Sequence, residues 1–109
     1  MADSQITEIA VLQQGAQYYL PFKIKHDGEI TSPQNVDDIK IKIGSLTKQL
    51  TKNELEYADG YWLFPIRQEF TLSLNADVKC QASILRGDNV YPSKTYEIHV
   101  DMSIIKDGF

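Results

Sequence analysis

The residues that could do chemistry in this sequence of 109 amino acids are few and lie far apart. The two histidines, His26 and His99, have no second histidine or cysteine at the spacing of a metal site. The single cysteine, Cys80, lies on the predicted inward face of a strand, where a free thiol usually packs as a small hydrophobe. One cysteine cannot form a disulfide within a monomer. We therefore expect no metal, no cofactor and no reactive thiol.

Acidic residues are dense at two places, Asp37-Asp38 and Glu54 to Glu56, and both lie at predicted turns where a solvated surface explains them. The sequence contains no nucleophile elbow, phosphate-binding glycine loop or calcium loop. Arg86-Gly87-Asp88 spells a cell-adhesion tripeptide, but glycine and aspartate are also what a hairpin loop needs there. The sequence therefore predicts no enzyme and favours a simple loop at residues 86–88.

The stretch from Val78 to Ile105 predicts two long strands joined by a turn. Apolar and polar residues alternate on both sides of the turn, which is typical of strands with one buried face. A three-residue loop at 87–89 pairs Cys80 with Tyr96. A two-residue loop keeps that pairing only if a bulge follows near Pro92, because a one-residue slip turns every side chain to the other face.

Shorter alternating segments predict strands at residues 6–12, 17–25, 39–43 and 46–50. A hairpin is predicted about Asp59-Gly60, a strong turn signal. That hairpin pairs Tyr57 with Trp62 and places Trp62 in the core, with an indole N–H that needs an acceptor. Pro21 has no N–H, so its strand is expected to lack a neighbour on one side at that point. Residues 67–77 are interpreted as an irregular crossover with some strand character.

Seven or eight short strands separated by regular turn signals predict an all-β fold, an immunoglobulin-like antiparallel β-sandwich. A small barrel is the alternative. The length fits a single domain over residues 1–109, with residues 1–5 flexible. A net charge of −4 argues against nucleic-acid binding. The sequence has no apolar stretch for a membrane span and no signal-peptide features, which predicts synthesis in a cytoplasm.

Aromatic residues supply one hypothesis about the surface. Six tyrosines occur, of which Tyr19 and Tyr61 fall on predicted outward faces, Tyr61 beside Leu63. Exposed amphipathic rings favour protein interfaces. The candidate interface residues are therefore Tyr19, Tyr61, Leu63 and Tyr91. Scattered surface tyrosines of no consequence explain the same pattern equally well.

A series of segments resembles a known family. In order they are Ile39-Lys40-Ile41-Lys42-Ile43-Gly44, Tyr57-Ala58-Asp59-Gly60, Arg67 to Leu74, Val78 to Ile84, and Ile98 to Ile105. A Gln-Glu-x-Thr crossover leads into a strand with a central glutamine, then a hairpin and a final strand; Arg67 stands where the pattern has Thr or Ser. Over roughly residues 17–105 the chain resembles small structural proteins from the tail and baseplate regions of phages and prophages of Gram-positive bacteria.

This resemblance implies an immunoglobulin-like sandwich related to the N-terminal module of upper baseplate proteins. It implies a virion component that works without a cofactor, through contacts with other tail or baseplate proteins or with copies of itself. The residues leave a second hypothesis open, a carbohydrate-binding sandwich that recognises the host cell wall. In that case an exposed Tyr61, Trp62 or Tyr91 stacks on a sugar ring, and a buried Trp62 counts against it.

Overall fold

Alternating burial along the strands sorts the chain into two packed sheets in this computed structural model, which describes residues 4–44 and 50–104. Within these ranges, the elements in chain order are β1 (Ser4–Ile9), β2 (Leu12–Gln13), β3 (Tyr18–His26), β4 (Glu29–Ile30), β5 (Asp38–Ile43), β6 (Leu50–Thr51), β7 (Glu56–Ala58), β8 (Tyr61–Ile66), α1 (Gln68–Leu72), β9 (Val78–Arg86), β10 (Asn89–Pro92), β11 (Tyr96–Ile98) and β12 (Val100–Asp101). A single 3₁₀ turn, Lys52–Glu54, lies between β6 and β7.

The first sheet has the order β1–β3–β8–β7, with β4 beside β3, and the second has the order β10–β9–β5–β6, with β11 beside β9. All pairings within these two sheets are antiparallel. This is the strand order of an immunoglobulin-type sandwich, with β6 as an added edge strand. The predicted fold class is therefore confirmed. Of the strand predicted at 46–50, Leu50 belongs to β6, and residues 45–49 lie outside the described ranges.

Parallel contacts between the N-terminal strands and the C-terminal part of the chain close one side of the sandwich. Ser4 forms a parallel bridge with Ser93, and β2 pairs with β12 in parallel. The Ser4 hydroxyl also donates to the Tyr91 carbonyl at 2.7 Å. Ser4 and Gln5, which are predicted from the sequence to be flexible, therefore belong to β1, while residues 1–3 lie outside the described ranges.

The core lies between the two sheets and is built by the predicted alternation. Its main members come from the four central strands and are Leu20, Phe22, Ile24, Ile39, Ile41, Ile43, Trp62, Phe64, Ile66, Cys80, Ala82 and Ile84. Trp62 lies opposite Tyr57, as predicted, and is fully buried. Its indole N–H donates to the hydroxyl oxygen of Thr31 at 2.9 Å, so the acceptor is a buried threonine.

Two-residue turns set the register of three hairpins. Positive φ at both central residues is the geometry of a type I′ turn. It occurs in Asp27-Gly28, with φ of 52° and 81°, and in Asp59-Gly60, with φ of 52° and 86°. In Gly87-Asp88 only the glycine has positive φ, 59°, as in a type II′ turn. The flanking strands twist in the same sense as these turns, so each turn joins its two strands without splaying them.

The closing hairpin keeps the predicted pairing of Tyr96 with Cys80. Its turn has two residues, since Asn89 lies opposite Arg86, and the register then shifts by one residue after Pro92. The three-residue loop is therefore wrong, and the alternative with a bulge near Pro92 is confirmed.

The segment 67–77 differs from its prediction. Residues Gln68–Leu72 form the short helix α1, with Thr71 fully buried. The Thr71 hydroxyl donates to the Ala16 carbonyl at 2.8 Å and accepts from the Gly15 N–H at 3.1 Å. These bonds to the loop before β3 stabilise a helical turn where the apolar pattern alone also fits a strand.

Candidate functional site

The outer surface of the first sheet carries most of the candidate contact residues. Side chains of β3 and β8 alternate between core and surface, so Tyr19, Pro21, Leu63 and Pro65 all point outward. The register places Tyr19 opposite Pro65 and Pro21 opposite Leu63. Tyr19 is 54% exposed, and the other three are half-buried. Together they form a contiguous apolar area at the centre of the sheet.

This apolar area extends along one line of the sheet into β4. Because β1 occupies one side of the second half of β3, β4 pairs with the other side, in line with β8. Ile30 therefore lies beyond Tyr61 on the same line, opposite Lys25, and is 41% exposed. The line as a whole is called the apolar column; its members are Ile30, Tyr61, Leu63 and Pro65.

An ion pair borders the apolar column on the β3 side. Lys23 Nζ lies 3.0 Å from Glu8 Oε2, and the Tyr61 hydroxyl donates to the same oxygen at 3.0 Å. Lys23 Nζ also lies 5.0 Å from the centre of the Tyr61 ring, a cation–π contact. The hydrogen bond from Lys23, followed by that from Tyr61, holds the pKa of Glu8 below its ordinary value, and Glu8 raises the pKa of Lys23. Tyr61 is thus held in place by two charged neighbours.

Two further charges flank the column. Lys25 is the next lysine on the outer face of β3, and Glu56 of β7 lies opposite Leu63. Neither forms an ion pair with another residue of the ranges 4–44 and 50–104. The face therefore has a basic side along β3, an apolar column along β8 and β4, and an acidic side along β7.

Two prolines of this face also protect the edges of the sheet. Residues that flank a two-residue turn form a hydrogen-bonded pair, and such pairs alternate along a hairpin with non-hydrogen-bonded pairs. Counted from the Asp59-Gly60 turn, Leu63 directs its backbone groups towards β7. Pro21 and Pro65 then occupy non-hydrogen-bonded pairs of the β3–β8 ladder. The backbone nitrogen of each proline, which has no N–H, therefore faces away from the partner strand of this ladder. The pairing of β1 with β3 ends at Phe22, so the prediction that β3 lacks a neighbour at Pro21 is confirmed.

The outer edge of the second sheet is protected in the same way. When pairs are counted from the Gly87-Asp88 turn, Pro92 and Ser83 form a non-hydrogen-bonded pair. The Pro92 nitrogen, which has no N–H, therefore faces the outer side of β10. The strands that form the opposite edges are short, three residues in β7 and two in β6. Short edge strands and edge prolines make poor templates for adding another strand. Among the described residues, the outer face of the first sheet therefore offers more for a contact than these edges.

The fourth candidate, Tyr91, lies apart from this face. It is opposite the buried Ile84 in β10, and its ring centre lies 4.3 Å from that of His26. His26 is buried, and its Nδ1 has no hydrogen-bond partner within the described part of the chain. Tyr91 thus helps to close the seam between the sheets and does not join Tyr19, Tyr61 and Leu63.

The adhesion-like tripeptide at 86–88 is held by the neighbouring loop. Arg86 Nε donates to the Asn35 carbonyl at 2.9 Å, and the Gly87 N–H donates to the carboxylate of Asp37. Arg86 is therefore bonded to the segment before β5 and is not free at the tip of the hairpin. The prediction of a simple loop at these residues fits this geometry.

The remaining histidine and the cysteine have structural contacts. His99 lies between two carboxylates, with Nδ1 3.1 Å from Asp77 Oδ1 and Nε2 3.0 Å from Asp101 Oδ1. Burial raises the pKa of the Cys80 thiol to about 11. In residues 4–44 and 50–104, no three His, Cys, Asp or Glu side chains are grouped so that they could hold a metal ion. No helix in the same ranges is long and apolar enough to cross a membrane.

Three members of the outer face, Tyr19, Tyr61 and Leu63, are predicted from the sequence, and two, Ile30 and Pro65, are not. The Asp27-Gly28 turn signal contains the information for Ile30, because a two-residue hairpin sets that residue opposite Lys25. Glu56 follows from the Asp59-Gly60 hairpin by the same argument. What a single strand cannot give is the order of the strands in the sheet, and that order brings these residues together.

Comparison with known proteins gives a similarity of fold. No protein-family model matches the sequence, and no curated protein matches it. Among solved structures, the X-ray structure of the endo-beta-1,4-mannanase from Thermotoga petrophila is similar with a TM-score of 0.59 at 8% sequence identity. The similar region covers 94% of this chain and 20% of the mannanase, so the chain spans one fifth of that protein's length. At this identity the similarity concerns the fold alone.

Proposed function

We propose that this chain is a non-enzymatic assembly module of a phage or prophage tail or baseplate, which acts by protein–protein contact within the virion. The observation that carries the proposal is the outer face of the first sheet. It has an apolar centre, made of the apolar column with Tyr19 and Pro21, and charged residues on both sides. An apolar centre with a polar rim is the usual composition of a protein interface.

The position of this face on the sandwich supports a contact role. Its residues belong to β3 and β8, which are central strands of the first sheet and pair with each other from Tyr18 to Phe22 and from Trp62 to Ile66, so this ladder fixes the backbone of most of the face. A surface held in place before binding loses little conformational freedom when a partner docks. The resemblance of residues 17–105 to tail and baseplate proteins is the reason to propose a phage particle as the location of this chain and other proteins of the particle as its partners.

The carbohydrate hypothesis has less support from the aromatic residues on which it depends. Trp62 is fully buried and cannot stack on a sugar. The Tyr61 ring is already in contact with Lys23, and the Tyr91 ring packs against His26. A sugar ring would have to displace one of these contacts. The geometry therefore favours the contact module over the wall-binding alternative.

Particles purified from a strain that carries the gene test the proposal. Quantitative mass spectrometry should find the chain in a fixed ratio to tail proteins, and the variant Leu63→Lys should be incorporated less than the wild type. Val90→Lys is the matched control, because Val90 is an exposed apolar residue on the second sheet and receives the same charge. Absence of the chain from intact particles contradicts the proposal, and binding to purified wall polysaccharide would favour the alternative.

A further inference from the structure

We propose that His99 and the two carboxylates beside it form a pH-dependent clasp, which holds strand β12 in place while the imidazole is protonated and loosens it when the proton is lost. The carrying observation is that both ring nitrogens face carboxylate oxygens. Nδ1 lies 3.1 Å from Asp77 Oδ1, and Nε2 lies 3.0 Å from Asp101 Oδ1. The same Asp77 oxygen accepts the Val100 N–H at 2.9 Å, so the clasp joins β12 to the segment before β9.

Only the protonated imidazole can bond to both carboxylates. An ionised carboxylate accepts hydrogen bonds and cannot donate them, so each ring nitrogen needs an N–H of its own. The neutral ring carries a single N–H, and its other nitrogen presents a lone pair to an oxygen 3.0 or 3.1 Å away. Loss of the proton therefore replaces one of the two attractive contacts with a repulsive one.

The strand that the clasp holds has few main-chain bonds of its own. β12 pairs with β2 through two residue pairs. The Leu12 N–H donates to the His99 carbonyl at 2.9 Å, and the next bond runs from the Gln14 N–H to the Asp101 carbonyl, also at 2.9 Å. Because this ladder is so short, the side-chain contacts of His99 supply a large share of what keeps β12 against β2.

The other charged groups on the neighbouring strands do not change over the pH range in which histidine does. Glu97 of β11 and Lys79 of β9 lie opposite each other, and the residue opposite Asp101 in β2 is Gln13, which is uncharged. Carboxyl and ammonium groups ordinarily titrate outside the range of about pH 5 to 8, whereas histidine changes charge within it. The contribution of the clasp is therefore present at the acid end of this range and is lost as the pH rises.

Hydrogen exchange at the Leu12 and Gln14 N–H groups tests the clasp, since both donate to the segment that it holds. NMR on the whole chain measures their protection, corrected for the intrinsic pH dependence of exchange. From about pH 5.5 to about pH 8, protection should fall about two- to fivefold, which is the effect of losing one exposed ion pair. A wild type whose protection does not change with pH overturns the inference.

The variant Asp101→Asn separates the clasp from other effects of pH. An asparagine amide offers both an oxygen and an NH₂ group, so it can bond to Nε2 of either the charged or the neutral ring. The variant should therefore lose most of the pH dependence. It leaves His26, the other histidine of the chain, unchanged, so a variant with the same pH dependence as the wild type overturns the role of His99. Circular dichroism checks that the sandwich is intact.

Discussion

Replacement of Thr31 by valine is expected to destabilise the fold by about 1–3 kcal/mol. Thr31 is fully buried; its hydroxyl accepts the indole N–H of Trp62 at 2.9 Å and donates to the Ile24 carbonyl at 2.8 Å. Valine has almost the same shape, so the change removes the acceptor and opens no large cavity. The Ile24 carbonyl still accepts the backbone N–H of residue 31 at 2.9 Å, so the group left without a partner is the buried indole N–H.

A double-mutant cycle separates this bond from other effects of valine. Trp62→Phe removes the donor, so Thr31→Val in that background should cost no more than about 0.5 kcal/mol. The coupling free energy between the two positions should then be about 1–2 kcal/mol. Thr31→Ser is the matched control, because serine keeps the hydroxyl and should restore most of the stability lost in the valine variant.

Urea unfolding followed by circular dichroism measures these differences. Fluorescence is unsuitable for the full cycle because Trp62 is the only tryptophan of the sequence. For a domain of this size, each kcal/mol should also lower the melting temperature by roughly 4 °C. A coupling free energy near zero, with Thr31→Val equally costly in both backgrounds, would refute the role given to this hydrogen bond.

Three further outcomes are expected. Burial raises the pKa of the Cys80 thiol from 9.0 to about 11. At pH 8 this thiol should therefore react with a disulfide reagent about 100-fold more slowly in the folded than in the unfolded chain. Equal rates contradict its burial. Gly60→Ala should cost about 1–2 kcal/mol in urea unfolding, because φ is 86° there, whereas Asp59→Asn should be nearly neutral. The pKa of Glu8 is lowered, so its stabilising contribution should be lost as the pH falls through its folded pKa. Lys23→Gln should raise that pKa in an NMR titration, and an unchanged value counts against the ion pair.

The parts of the fold that could be predicted from the sequence depend on local signals. The Asp59-Gly60 turn sets the pairing of Tyr57 with Trp62, because a two-residue loop allows one register. In the closing hairpin, the register set by the two-residue turn alone would direct Ile98 to the surface. A register shift of one residue after Pro92 places the Ile98 side chain in the core instead. The two alternatives for that hairpin differ only in where the extra residue lies, which local patterns do not decide.

The parts that could not be predicted depend on contacts between distant residues. Helix α1 is selected by the bonds of Thr71 to Gly15 and Ala16, which are more than fifty residues away in the sequence. Tyr91 is a candidate interface residue because its ring is amphipathic, and its ring neighbour in the structure is His26, in the other sheet. In both cases the local sequence fits two structures equally well, and a distant residue decides between them.

The same two strands build both the core and the proposed contact face, and this separates stability from association. In β3 and β8 one set of alternate residues is buried between the sheets, and the other set, including Leu63, points outward. Because no side chain belongs to both sets, Leu63→Lys should change association and leave the unfolding free energy within about 0.5 kcal/mol of the wild type. Thr31→Val should do the opposite. A loss of incorporation of Leu63→Lys into particles therefore reports on the face itself, since the core beneath it is made of other residues.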